Sequence, residues 1–189
     1  AVGIVPLSIE TLKEAGMTFD AMTHVAAGCG PGSFTGIRVA LAAAKGFCLA
    51  YQALGVGVSG LQALAHAATH EAPDTTTPCL VLAETRRGPL YAQIFDATAQ
   101  PMGTIFEASI QQLPHLVDTK MAGSDLRIIG TDRMAVADAL TVVGISASLP
   151  DIDEMPSASM VARLANEQII KNQIGPLHPL YLADPRFGP

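Results

Sequence analysis

The sequence contains no tryptophan, and aromatic residues make up only 5% of it. Charged residues are also scarce, at 15%, against 49% apolar residues. That balance excludes a disordered chain, which has too little apolar surface to offset the entropy of ordering. Basic residues are the rarer sign: 11 Lys and Arg against 17 Asp and Glu give a net charge of −6. Such a chain does not grip a nucleic-acid backbone alone, because that binding leans on a Lys/Arg surplus. Cysteines number three, Cys29, Cys48 and Cys79. An odd, widely spaced set without a CxxC pair gives no disulfide framework and fits a reducing cytoplasm. No apolar run approaches the roughly 20 residues of a membrane span, so no membrane role is expected. A basic leading segment of the signal-peptide kind is absent as well. The chain opens on Ala1 rather than a methionine, almost straight into a helix-like stretch, so residues are expected upstream.

What is present is small. Much of the apolar content is alanine, and glycine numbers 17. Small residues let backbones approach closely, so thin, tightly packed helices follow. The apolar surplus also points to a surface buried against a partner. At 189 residues the chain suits one domain or two small lobes, and a chain of that size buries about two-thirds of its surface.

Periodicity orders the elements. Residues 4–16 read as an amphipathic helix with Val5, Ile9 and Leu12 at helical intervals and Gly16 as its stop. Pro6 fits only its first turn. A short helical turn follows over 18–22, then an apolar strand over 23–27. A long Ala-rich helix spans 34–53, and its residues Ile37, Leu41, Ala44, Cys48 and Tyr51 form one stripe. A strand over 54–58 leads to a helix that Ser59 caps and that runs to about His70. Residues 72–78, with two prolines and three threonines, are the linker candidate. Beyond it, 79–84 and 90–96 make a hairpin around Arg86-Arg87-Gly88-Pro89. A third strand over 103–107, a strand over 126–130 and helices over 133–140 and 157–171 complete the pattern, with an extended tail from Pro176. Both halves mix strands and helices, so a two-lobed α/β protein is expected, with lobes over 1–73 and 74–189 and the C-terminal tail returning to the first.

The strand over 23–27 feeds Gly28-Cys-Gly-Pro-Gly-Ser-Phe-Thr-Gly36 and then a helix. Strand, glycine-rich loop and helix is the order that aims backbone N–H groups at an anion. Gly30, Gly32 and Gly36 permit close approach, Pro31 stiffens the turn, and Ser33 or Thr35 can cap the helix. A phosphate cradle is one reading; a tight turn that caps a buried helix is the other. The loop is not GxxxxGK[ST], since Ile37 and Arg38 follow Gly36, nor is it GxGxxG.

Other candidates carry less. His66 and His70 stand four apart, but no third ligand has metal-binding spacing, so a solvated or capping pair is the better reading. His24, His115 and His178 are isolated and read as structural. Neither GxSxG nor a Cys/His nucleophile pattern occurs, so no catalytic residue is assigned. Asp151, Asp153 and Glu154 read as a solvated turn. Arg86 and Arg87 are a hairpin tip that could offer phosphate a small basic contact.

The run Gly30-Pro-Gly-Ser-Phe-Thr-Gly-Ile-Arg38 resembles the signature of the TsaB family, also called YeaZ. Other stretches agree in order: Glu14-Ala-Gly16; Leu54-Gly-Val-Gly-Val-Ser59 with Leu61 and Ala63-Leu-Ala65; Ala83-Glu-Thr-Arg-Arg-Gly88 with Tyr91; and Pro179-Leu-Tyr-Leu182. The hairpin motif is thus Arg86, Arg87, Gly88 and Tyr91. Departures stand at Glu84, Thr85 and Pro89, where the family has Asp, Ala and an acidic residue, and at Ala183, where it has Arg. The family's opening strands, with their Asp-Thr-Ser loop, do not precede Ala1.

This resemblance implies an actin/Hsp70/sugar-kinase-like (ASKHA) fold whose first lobe lacks its opening strands here. It implies a role in making N(6)-threonylcarbamoyladenosine next to the anticodon of tRNA. The implied part is a non-catalytic scaffold that pairs with a TsaD-like catalytic subunit, with a TsaE-like ATPase joining and tRNA reached only through the complex. Pairing through the first two helices makes Val5, Ile9, Leu12, Ile37, Leu41, Ala44, Cys48 and Tyr51 the expected interface, used for a homodimer when the partner is absent. No intrinsic cofactor or metal is implied, which leaves ATP or ADP with Mg²⁺ to a partner interface. The catalytic paralogue's His-x-x-x-His motif has no counterpart in Ile4–Ala15, which holds no histidine. The alternative is a stand-alone ASKHA nucleotide hydrolase or a glycoprotease-like peptidase.

Overall fold

The computed structural model describes residues 3–71, 76–85, 88–121, 125–180 and 182. The chain forms two compact units, one of residues 1–59 with 161–180, the other of 60–160 with 181–189. Each is described by itself.

The first unit opens with helix α1 (Ile4–Glu14). Gly16, at φ 66°, ends it: its N–H donates to the Lys13 carbonyl and the Met17 N–H to the Leu12 carbonyl. Those two bonds satisfy carbonyls that a helix end leaves orphaned. A single 3₁₀ turn, Phe19–Ala21, precedes strand β1 (His24–Gly28). Helix α2 (Phe34–Tyr51) crosses to strand β2 (Leu54–Val58), which lies parallel to β1 with His24 opposite Leu54 and Gly28 opposite Val58. Parallel pairing requires such a crossover. Among the described residues, α2 alone has the length and apolar composition to cross a membrane. Two of its residues, Leu41 and Ala44, are buried against Ala27, Cys29 and Leu177.

The second unit begins with helix α3 (Gly60–Glu71). Its sheet runs β5-β4-β3-β6-β7. Strands β3 (Cys79–Glu84) and β4 (Leu90–Phe95) form the antiparallel hairpin, and β5 (Phe106–Ala108) adds antiparallel to β4. Strands β6 (Leu126–Gly130) and β7 (Ala147–Ser148) lie parallel on the other side of β3. Helix α4 (Leu113–Met121) precedes β6, and α5 (Arg133–Val142) joins β6 to β7. Helix α6 (Ala158–Ile170), capped by Ser157 Oγ accepting from the Met160 N–H at 3.3 Å, leads back to the first unit.

Alternation along β3 builds two cores. Leu80 and Leu82 face one way, with Leu126, Ile128, Leu113, Val117, Val136 and Leu140. Cys79 and Val81 face the other, with Ile129, Phe95, Leu61, Leu64 and Ala68. Helices therefore cover both faces, as buried parallel pairs demand.

Among the described residues three polar side chains are buried, His66, Gln93 and Arg127. Arg127, 3% exposed, donates from Nη1 to the Ala68 carbonyl at 3.1 Å and from Nε to the Thr77 carbonyl at 3.2 Å. It thereby caps the C-terminal end of α3, where a cation is favoured. Its Nη2 has no partner.

Candidate functional site

The glycine loop lies where β1 ends. Cys29 donates its N–H to the Val58 carbonyl at 2.7 Å, so the loop departs from the paired ends of both strands. Gly30 has φ 98°, and a Cβ there would lie 2.7 Å from Ile37 Cδ1, so only glycine fits. The Gly30–Pro31 peptide is cis. Ser33 is the N-cap of α2, its Oγ accepting from the Gly36 N–H at 3.3 Å. Thr35 is exposed and does not take that role. Phe34 and Arg38 form one exposed pair, the guanidinium carbon 3.7 Å from the ring centroid. The loop's cation is thus laid over an aromatic face, a favourable contact.

A second signature stretch comes to the same place. The segment before Leu182 runs over β2 and ends at the loop: the Gly57 N–H donates to the Gly175 carbonyl, and the Leu180 N–H to the Cys29 carbonyl, each at 2.9 Å. Burial pushes the Cys29 thiol up, while the Val58 and His178 backbone and the Lys45 charge act against that shift. The motifs at 30–38, 54–58 and 179–180 are far apart in sequence and adjacent in the first unit. Alternating glycines at 55 and 57 were the available signal for this meeting.

The expected interface residues divide. Val5 and Ile9 are about half exposed, at 48% and 52%, and Leu12 is half-buried. No residue of α1 is buried. The α2 stripe turns toward its own unit instead. Leu41 and Ala44 lie in its core with Ile37 against them, and Cys48 Sγ lies over Gly55. Tyr51 stacks on Phe19 at 4.9 Å between centroids, and Phe47 does so at 5.2 Å. The turn at 19–21, so short in sequence, is pinned by that aromatic stack.

In the second unit, Gly88 turns the hairpin at φ 104°, and Thr85 Oγ1 donates to the Pro89 carbonyl at 2.6 Å. Tyr91 is half-buried opposite Ala83. Arg86, Arg87 and Ala183 lie outside the described residues. His66 is buried on α3 and His70 exposed, their rings edge to face at 4.6 Å.

A solved structure, YeaZ from Pseudomonas aeruginosa, superposes with a TM-score of 0.79 at 23% identity, over 95% of this chain and 83% of that one. This chain therefore has the α/β fold of the YeaZ structure. A profile of the family described as "TsaD: tRNA N6-adenosine threonylcarbamoyltransferase" matches residues 1–125, and the chain belongs to this family. An uncharacterized protein of Mycobacterium tuberculosis is 28% identical over 186 residues, 98% of this chain and 76% of its own length. The tRNA threonylcarbamoyladenosine biosynthesis protein TsaB of Escherichia coli is 32% identical over 88 residues, 47% of this chain and 37% of that protein. The TsaB resemblance read from the motifs stands with these matches.

Proposed function

We propose that this chain is the TsaB-like, non-catalytic subunit of tRNA N(6)-threonylcarbamoyladenosine formation and acts by pairing with a TsaD-like catalytic subunit. Family membership supports the pathway and the partner. The observation that carries the docking surface is α1, which buries no residue in its own unit yet presents Val5 and Ile9 on one face with the half-buried Leu12. A helix draws most of its stability from tertiary packing, so an apolar face without cover gains most from a second surface. The α2 stripe supports that surface from within. In our reading the same face joins two copies when the partner is absent, and a TsaE-like ATPase completes the assembly. ATP or ADP with Mg²⁺ belongs to the partner interface; the loop at 30–36 and Arg38 are where this chain would meet its phosphates. The net charge of −6 suits a subunit that reaches tRNA only through the complex, in the cytoplasm.

The test is reconstitution with TsaD-like and TsaE-like proteins, threonylcarbamoyl-adenylate and tRNA, reading modified adenosine by mass spectrometry. Modification should require this chain. The double variant Val5→Asp, Ile9→Asp should cut the yield and the co-eluting complex at least tenfold while circular dichroism stays native. Modification that proceeds without the chain would overturn the reading. ATP·Mg²⁺ turnover by the isolated chain would point to a stand-alone hydrolase instead.

A further inference from the structure

Strand β2 carries glycine at two alternate positions, Gly55 and Gly57, which share one face of the strand. Val56 and Val58 fill the opposite face and are fully buried. On the glycine face lies the backbone of residues 175–177. A Cβ at Gly57 would collide with the Pro176 carbonyl and lie 2.8 Å from Cys29 Sγ; one at Gly55 would lie 3.2 Å from Leu177 Cδ2. The fit is reciprocal, since a Cβ at Gly175 would lie 2.5 Å from the Gly57 carbonyl oxygen. Leu177, 9% exposed, enters the core beside Ala27, Cys29, Leu41 and Ala44. The last hydrogen bond, Leu180 N–H to the Cys29 carbonyl, holds the residue from which the glycine loop departs.

We propose that residues 175–180 are a strap that holds the glycine loop in its observed form, with Gly55 and Gly57 as its seat. Three attachments act in series: a backbone bond on β2, an apolar plug at Leu177, and a backbone bond on Cys29. Cys29 itself joins β2 through Val58, so strap, strand end and loop share one set of hydrogen bonds. Lifting the strap removes the neighbour on one side of Cys29 and leaves the loop tied through Val58 alone. The C-terminal segment then becomes a handle by which an event at the tail reaches the N-terminal end of α2.

Amide hydrogen exchange on the full chain tests this. Gly57→Ala should expose the Leu180 amide and speed exchange at Cys29, Gly36 and Ile37 at least tenfold, with β3 and β6 unchanged. Leu180→Pro removes only the donor to Cys29, leaves β2 intact, and should speed the same three loop amides. It decides the matter should Gly57→Ala fail to fold. The proposal is overturned if Leu180→Pro leaves those three amides at the wild-type rate. It is equally overturned if a folded Gly57→Ala keeps the Leu180 amide protected.

Discussion

Ala44 is 4% exposed in the core that α2 shares with β1 and Leu177. A carboxylate there would be buried without a partner, a change that costs at least ~3 kcal/mol. Ala44→Glu should therefore lower the urea midpoint of the isolated chain. The Val5→Asp, Ile9→Asp pair lies on the surface and should stay within ~0.5 kcal/mol per site. Equal stability of Ala44→Glu and wild type would show that the stripe is not packed as described. Cys79 gives a pH-dependent counterpart. Burial pushes its thiol up from 9.0 to about 12, against the pull of Arg127 and with a push from Asp96. Below pH about 9 both states hold the proton and stability is full. Between 9.0 and about 12 the unfolded state releases it first, so stability falls, by at most ~1.4 kcal/mol per pH unit. Urea melts at pH 7, 9 and 10.5 should show that decline, and Cys79→Ala should flatten it. Parallel declines in both proteins would sink the assignment.

At the scale of elements, Arg127 shows what periodicity hides. The run Leu126–Gly130 is legible as a strand because it is short, β-branched and bounded by turn residues. Its single cation reads as a break in that pattern, and only the fold reveals two carbonyls, Ala68 and Thr77, waiting for it. Arg127→Ala should cost ~3 kcal/mol by leaving those acceptors bare beside a void. Arg127→Lys should recover little, because one ammonium lacks the fork that spans both. Recovery to wild-type stability by lysine would overturn the capping role. The same contrast explains what was legible elsewhere. Strands β1 to β4 and helices α1 to α3 announced themselves by period and by Gly16, Ser33 and Gly88. Helix α4 was not among the expected elements; Pro114 falls within its first turn, where proline is tolerated. The α2 stripe was visible, but periodicity says only that a face is covered. Which surface covers it depends on the return of Leu177 from 133 residues beyond Ala44, a non-local contact.

At the scale of the molecule, the scarcity of large side chains is unevenly shared. The second unit fills two cores with Leu, Ile and Phe, among them Phe95, Leu61, Leu80 and Ile128. The first unit's core under α2 holds Ala27, Cys29 and Ala44 with Leu41 and Leu177, and elsewhere among its described residues the unit buries mainly valines, Val56, Val58 and Val161, with Leu164. Each buried leucine contributes about 1.5–3 kcal/mol against much less for alanine, so the first unit is the less stable body. Exchange at increasing urea should release the amides of β1, β2 and α2 before those of β3, β4 and β6. A partner that binds the folded first unit changes this order by mass action. At one hundred times its dissociation constant it adds ~2.7 kcal/mol to every opening that breaks the bound surface and nothing to openings elsewhere. Adding saturating TsaD-like subunit should therefore slow exchange in β1, β2 and α2 by up to about a hundredfold and leave β3 and β6 where they were. If all amides instead slow together, the two units open as one body and the weak-unit argument fails. If none slow, the partner does not rest on the first unit, and the apolar face of α1 has another use.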